Sequence, residues 1–362
     1  MEKKIIITFL IICNLFSIFA QEFTIAVIPD TQSYVDINTN HDTDSKYLFN
    51  HDKLFFNQME FISKNSISNG GNIAFAIHVG DLVNHQGDYL IEWEKAYKGI
   101  SILNNQLPFL LVPGNHDYDR IFAPSPSVKK GRIDGGSVFN EYFGPENELF
   151  NDKVWYRDSF NNGMNSCVFY NIEGIDFLFL GLELEPSDAA LEWAQSIIDN
   201  YKYIPTILVT HEYIGLDFDK DNIENAAFLN HSYRKGFNRN TPSEIWNKFV
   251  KKNNQIFMVL CGHHFRGDFG ENFRIDKNEY GYEVYSLLQD FQGRKSYFES
   301  LGYEGKKLNC GDGWLRLLKF DLKKNEIHVM TYSTAYDKYE NDDNSDFIIK
   351  INWNWNDRFL RN

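Results

Sequence analysis

Cysteine is scarce in this chain: four residues in 362, Cys13, Cys167, Cys261 and Cys310. Their wide spacing argues against both a disulfide framework and a thiolate metal site. Basic charge is also short, with 36 Lys and Arg against 50 Asp and Glu and a net charge of −14. Such a field repels nucleic acid and anionic membranes, so nucleic-acid binding is not expected. A phosphate-bearing partner would have to be drawn by a local positive centre. Beyond the first twenty residues no apolar run approaches the roughly 20 residues that a bilayer span needs. No internal repeat and no low-complexity linker divides the chain.

The amino terminus carries a signal. Lys3 and Lys4 precede an apolar stretch over residues 5–20, followed by Gln21-Glu22. A basic start, a short apolar middle and Ala20 at the junction read as a secretory signal cleaved after Ala20. The expectation is an exported protein, periplasmic or secreted, with no membrane span in the mature chain. Ile18 is larger than a cleavage site favours at that position, so a retained anchor is the alternative. Removal takes two lysines and one glutamate and leaves a net charge of −15. Cys167, Cys261 and Cys310 remain, enough for one bridge at most, with buried free thiols the default.

Five apolar runs come next: "FTIAVIP" (23–29), "IAFAIHVG" (73–80), "FLLVPG" (109–114), "TILVT" (206–210) and "IFMVLCG" (256–262). Each is too continuous for a strand with one wet face, so each predicts a central strand covered on both sides. Helical patterns separate several of them, over 88–103, 243–253 and the stretch after Ser187, a plausible N-cap. Strand–helix alternation predicts a layered α/β fold with a largely parallel sheet. Residues 166–183 and 314–332 read instead as antiparallel hairpins, and 347–355 as a half-buried strand. The polar stretches 34–50, 118–137 and 215–242 read as surface loops. Residues 21–362 are expected to form a single domain with a β-rich carboxyl-terminal segment at about 310–356.

The chemistry lies just after the apolar runs. There stand Asp30-Thr31-Gln32, Asp81, Asn115-His116-Asp117, His211 and His263-His264. In open α/β sheets ligands gather at the carboxyl ends of strands, so five strands would deliver these groups to one rim. Singly, each has a plain structural reading: Asp30 and Asp81 as caps, His211 as a core histidine. Together they predict a divalent-metal site of mixed oxygen and nitrogen ligands, suited to Mn, Zn, Fe or Mg. A shared carboxylate can hold two ions close together, an arrangement used in phosphoryl transfer.

"DTQ", "GDLVNH", "GNHD", "VTHE" and "CGHH", in that order, resemble the calcineurin-like metallophosphoesterase superfamily. The likeness covers roughly residues 23–332. "PDTQ" and "NCGDGWLRLL" are similar to a bacterial, often exported branch. The resemblance implies a layered α-β-β-α sandwich with mixed sheets. It also implies Asp81 as the bridging carboxylate, with Asn115, His211 and His263 completing one metal site and Asp30 and Gln32 opening the other. His116 would protonate the leaving oxygen, oriented by Asp117, while a metal-bridging hydroxide attacks phosphorus in line.

Two departures matter. Gln32 stands where the family has histidine, and Phe265 stands where the last motif has its second histidine. Both losses fall on the Asp30 site, which is therefore expected to be weak unless His264 or His85 completes it. Arg266, Arg274 and Arg294 are candidate phosphate contacts, although solvated surface arginines are the plainer reading. The expected function is an exported, metal-dependent hydrolase of phosphate mono- or diesters on a small or extracellular substrate. The alternatives are a non-catalytic or accessory metal-binding protein on the same fold, and a hydrolase of another ester such as a sulfate.

Overall fold

All five apolar runs become strands buried on both faces, and they form the parallel cores of two sheets. The computed structural model describes residues 22–37, 51–122, 132–216, 238–294, 311–353 and 355–359. The expected signal at residues 1–20, Cys310, and most of the polar stretches 34–50 and 215–242 lie outside the described residues.

In chain order the strands are β1 (Glu22–Ile28), β2 (Ile73–His78), β3 (Phe109–Leu111), β4 (Arg120–Phe122), β5 (Arg132–Asp134), β6 (Tyr156–Phe160), β7 (Asn165–Ile172) and β8 (Ile175–Leu182). Then come β9 (Thr206–Thr210), β10 (Ile256–Cys261), β11 (Glu271–Lys277), β12 (Glu283–Gln289), β13 (Trp314–Asp321), β14 (Glu326–Ser333), β15 (Lys338–Tyr339) and β16 (Asp346–Lys350). The first sheet runs β15-β14-β13-β1-β2-β3, with β16 also on β14; the second runs β11-β12-β10-β9-β8-β7-β6. β1, β2 and β3 are mutually parallel, as are β8, β9, β10 and β12, while the outer strands are antiparallel. Both sheets are therefore mixed, and each points one set of parallel carboxyl ends toward a common rim.

The sheets face each other across an apolar layer. Phe75 of β2 stacks on Phe179 of β8 with ring centroids 3.7 Å apart, and Phe23 meets Phe177 edge-on. The helices His51–Lys64 and Leu90–Ser101 cover the outer face of the first sheet, burying Met59, Ile62, Trp93 and Ile100. Asp188–Asn200 and Pro242–Lys248 cover the second through Leu191, Ala194, Ile198 and Ile245. The result is the α-β-β-α layering that the motifs implied. Among the described residues no helix is long and apolar enough to cross a membrane.

Local chemistry follows the sequence closely. Ser187 Oγ accepts the backbone N–H of Ala190, capping its helix as its type and position predict. The β7–β8 hairpin turns at Glu173-Gly174, both with positive φ, the backbone that a two-residue hairpin demands. β16 alternates, with Ile349 buried and Ile348 exposed. Cys167 and Cys261 are free and buried, and burial pushes both thiols up to about 12.

Candidate metal centre

Glycine allows the strand ends to approach one another. Gly80, at φ 107°, ends the β2 run; a Cβ there would lie 2.6 Å from His211 Nδ1. A Cβ on Gly114 would lie 2.1 Å from Asp81 Oδ1, and one on Gly262 would lie 2.1 Å from Asp30 Oδ1. Three glycines thus leave room for three functional side chains. Asp81 and His263 themselves adopt positive φ, 56° and 77°. Such backbone costs a non-glycine residue about 1–3 kcal/mol and persists where its surroundings hold it.

Four of the expected ligands converge. His211 Nε2 lies 3.1 Å from Asn115 Oδ1, 3.1 Å from His263 Nδ1 and 3.3 Å from Asp81 Oδ1. His211 Nδ1 donates to the carbonyl of Val79 at 2.9 Å, which fixes the ring and turns Nε2 toward the cluster. Burial disfavours charge on His211, yet Asp81 beside it raises it to about 9; burial, then His211, pushes His263 down to about 3. Burial alone would raise Asp81, but His211 and His116 outweigh it and hold the carboxylate well below its usual range. Two imidazole nitrogens, a carboxylate and an amide oxygen gathered this closely form a divalent-metal donor set.

The second half of the centre is built around Asp30. Its carboxylate accepts the His263 N–H at 3.1 Å, and Gln32 Nε2 donates to Asp81 Oδ2 at 3.1 Å. Gln32 is 4 % exposed, and its Oε1 has no partner. Beside Asp30 stands Asp290, a residue that sequence reasoning missed. Burial, then Asp290 and Asp81, raise Asp30 well above the usual carboxylate range; burial likewise lifts Asp290 to about 6. Asp30, Asp81, Asp117, Glu212 and Asp290 are all buried. Among the described residues these buried acids outnumber the buried arginines, Arg316 and Arg358, as suits a site built for divalent ions.

His264 and His85 each lie against another acid. His264 Nε2 lies 3.0 Å from Glu212 Oε1, and His85 Nδ1 lies 2.8 Å from Glu92 Oε1. Phe265 is half exposed, with its ring close to Gly293. Of the three arginines, Arg274 is bound by Asp276 and Arg294 by Glu271, whereas Arg266 is exposed. Asp290 had a weak signal: β12 carries an apolar run, "VYSLL", broken by Ser286 and followed by Gln289 and Asp290. Its partner β10 is parallel, pairing Cys261 with Leu288, so Asp290 reaches the rim that carries His263.

Asp117, expected to orient His116, contacts backbone groups of two loops. Its carboxylate accepts the N–H groups of Leu82 (2.8 Å), Val83 (3.1 Å) and Gly114 (2.8 Å), and so fastens the Asp81 loop to the Asn115 loop. His116 is held elsewhere: its Nδ1 lies 2.7 Å from the backbone carbonyl of Asn84. A carbonyl can only accept, so Nδ1 carries the proton and Nε2 is the nitrogen that can exchange one. The reason is geometric, since adjacent residues of the short Asn115–Asp117 turn project to different sides. His78, also unforeseen, braces the same region: Nδ1 accepts the Gly80 N–H and Nε2 meets Thr31 Oγ1 at 2.9 Å.

The chain is similar to several known proteins. The family model described as calcineurin-like phosphoesterase matches residues 23–267. The uncharacterised protein YvnB of Bacillus subtilis (strain 168) is 26% identical over 316 residues, which are 86% of this chain and 20% of that protein. The chain thus spans about a fifth of the length of that curated relative. Among solved structures, Haemophilus influenzae NAD nucleotidase (NadN) is similar with a TM-score of 0.36 and 11% identity, covering 91% of this chain and 56% of that one. PhoD is similar with a TM-score of 0.43 and 10% identity, covering 94% and 75%.

Proposed function

The chain belongs to the calcineurin-like phosphoesterase family, and on that premise we propose that it is an exported, metal-dependent hydrolase of phosphate mono- or diesters. The convergence of His211, His263, Asn115 and Asp81 on one point carries the reading. When bound there, divalent ions supply Lewis acidity, lowering the pKa of water and neutralising phosphoryl oxygens.

The chain's own groups supply the rest. Asp81, Asn115, His211 and His263 would hold one ion; Asp30 and Gln32 would serve the other, with Asp81 shared. The backbone N–H of His116 donates to Asp81 Oδ1 at 2.9 Å, keeping that carboxylate oriented. His116, clamped through Nδ1, presents Nε2 as the acid that gives the leaving oxygen its proton. Asp117 maintains the distance between the two loops on which this depends. The basic-then-apolar start at residues 1–20 supports export, and the net negative charge supports a small substrate drawn locally by the ions.

The test is to strip the protein of metal, restore Mn, Zn, Mg or Fe singly, and follow hydrolysis of chromogenic aryl phosphate mono- and diesters. Metal-dependent turnover is expected. Stoichiometric metal uptake with no hydrolysis under any ion would favour the accessory-protein reading, which the imidazoles missing at Gln32 and Phe265 support. Turnover of an aryl sulfate but no phosphate would move the substrate to another ester.

A further inference from the structure

The geometry points to Asp290 as a protein ligand of the second metal site, making that site all-oxygen and selective for a hard cation such as Mn²⁺ or Mg²⁺. The inference rests on the metallophosphoesterase reading above and assigns its weaker half. The Asp30 site lacks two imidazoles relative to the family pattern, and the nearby histidines are bound elsewhere, His264 by Glu212 and His85 by Glu92.

Asp290 stands where a replacement is needed. It follows β12, which lies parallel beside β10, so it emerges at the same rim as His263. It is buried, as are Asp30 and Asp81 at the same rim. Buried carboxylates that emerge at one rim repel each other when charged, and a cation held among them removes that repulsion. Gln32 is the independent pointer. Its amide nitrogen sits 3.1 Å from Asp81 Oδ2, while Oε1, on the same planar group, is buried without a partner. Turning that amide over presents a carbonyl oxygen at the Asp81 edge of the cluster, as a cation would require.

The loop is also held in place. Asp290 Oδ1 accepts the Gln292 N–H at 3.1 Å and Oδ2 accepts Gln292 Nε2 at 3.0 Å. Gln292 Oε1 in turn accepts the Ser33 hydroxyl, tying the Asp290 loop to the segment that carries Gln32. The donors Asp30, Gln32, Asp81 and Asp290 are all oxygens, which suit Mg or Mn. The neighbouring set contains two imidazoles, which suit Zn or Fe. One centre would thus hold two chemically different ions.

The experiment uses the metal-free full chain, titrated with one equivalent of Zn²⁺ and then with Mn²⁺, followed by calorimetry and Mn²⁺ electron paramagnetic resonance. Wild type is expected to bind one Zn²⁺ tightly and one Mn²⁺ more weakly. Asp290→Asn, which keeps an acceptor for the Gln292 N–H, should weaken the Mn²⁺ step at least about tenfold and leave the Zn²⁺ step within twofold. Unchanged Mn²⁺ affinity in a folded Asp290→Asn protein overturns the assignment. Should that variant not fold, pulsed resonance of Mn²⁺ in Zn-loaded wild type decides: no directly coordinated nitrogen is expected, and a coordinated imidazole overturns the all-oxygen site. A wild-type chain that takes up neither ion refutes the underlying phosphoesterase reading as well, so the two failures are distinguishable.

Discussion

Asp117→Asn separates holding the loops from orienting His116. The carboxylate is fully buried and takes three backbone N–H groups, two on Oδ1 and that of Gly114 on Oδ2. Asparagine keeps one acceptor oxygen, which can serve Leu82 and Val83, and sets an NH₂ group against the Gly114 N–H. One buried donor loses its acceptor, at about 1–3 kcal/mol, and the others lose the help of charge, so the total is about 2–4 kcal/mol. Urea denaturation of the metal-saturated protein should show a loss of that size. Catalysis should fall by a similar factor on alkyl and nitrophenyl esters, because His116 keeps its clamp on the Asn84 carbonyl. His116→Ala should behave oppositely: little loss of stability, but a loss of about 10²–10⁴-fold on poor leaving groups and much less on good ones. If Asp117→Asn kept full stability and steepened the leaving-group dependence as His116→Ala does, the assignment of Asp117 to the loops would be wrong.

Asp81→Asn should reduce metal-dependent hydrolysis to background, since the charged oxygens that face both halves of the centre are lost; retained activity at saturating metal would remove Asp81 from the shared position. Gly114→Ala places a Cβ 2.1 Å from Asp81 Oδ1 and 2.4 Å from the Asp81 backbone nitrogen, so a stability loss of about 1–3 kcal/mol and weaker metal uptake are expected, read by thermal melts and metal analysis after dialysis. His78 is buried, and its pKa falls from 6.5 to about 3, through burial and then the nearby His211. The unfolded chain therefore binds this proton first, and stability falls as pH drops from about 6.5 toward 3, by about 1.4 kcal/mol per unit for one proton. His78→Asn should flatten that slope in urea titrations at pH 7, 6, 5 and 4, and an unchanged slope would place the proton elsewhere.

The strand ends and their donors were legible in the chain itself. A short, nearly continuous apolar run, as in β1, β2, β9 and β10, reads as a strand covered on both faces. The residues just past such a run must emerge at the sheet rim, because the buried backbone ends there. This is why Asp30, Asp81, Asn115, His211 and His263 could be named from local pattern alone, and why the layered fold came with them. Contacts between those segments were a different matter. His116 and Asp117 are neighbours in sequence, yet one reaches the carbonyl of Asn84 and the other the amides of Leu82, Val83 and Gly114. Adjacency in a tight turn sends consecutive side chains to different sides, so it could not say which would hold which. Asp290 lies 260 positions from Asp30 and comes after a run interrupted by Ser286. The parallel pairing of β12 with β10 carries it to the metal rim, and which strands lie side by side is decided by contacts between distant segments rather than by either segment alone.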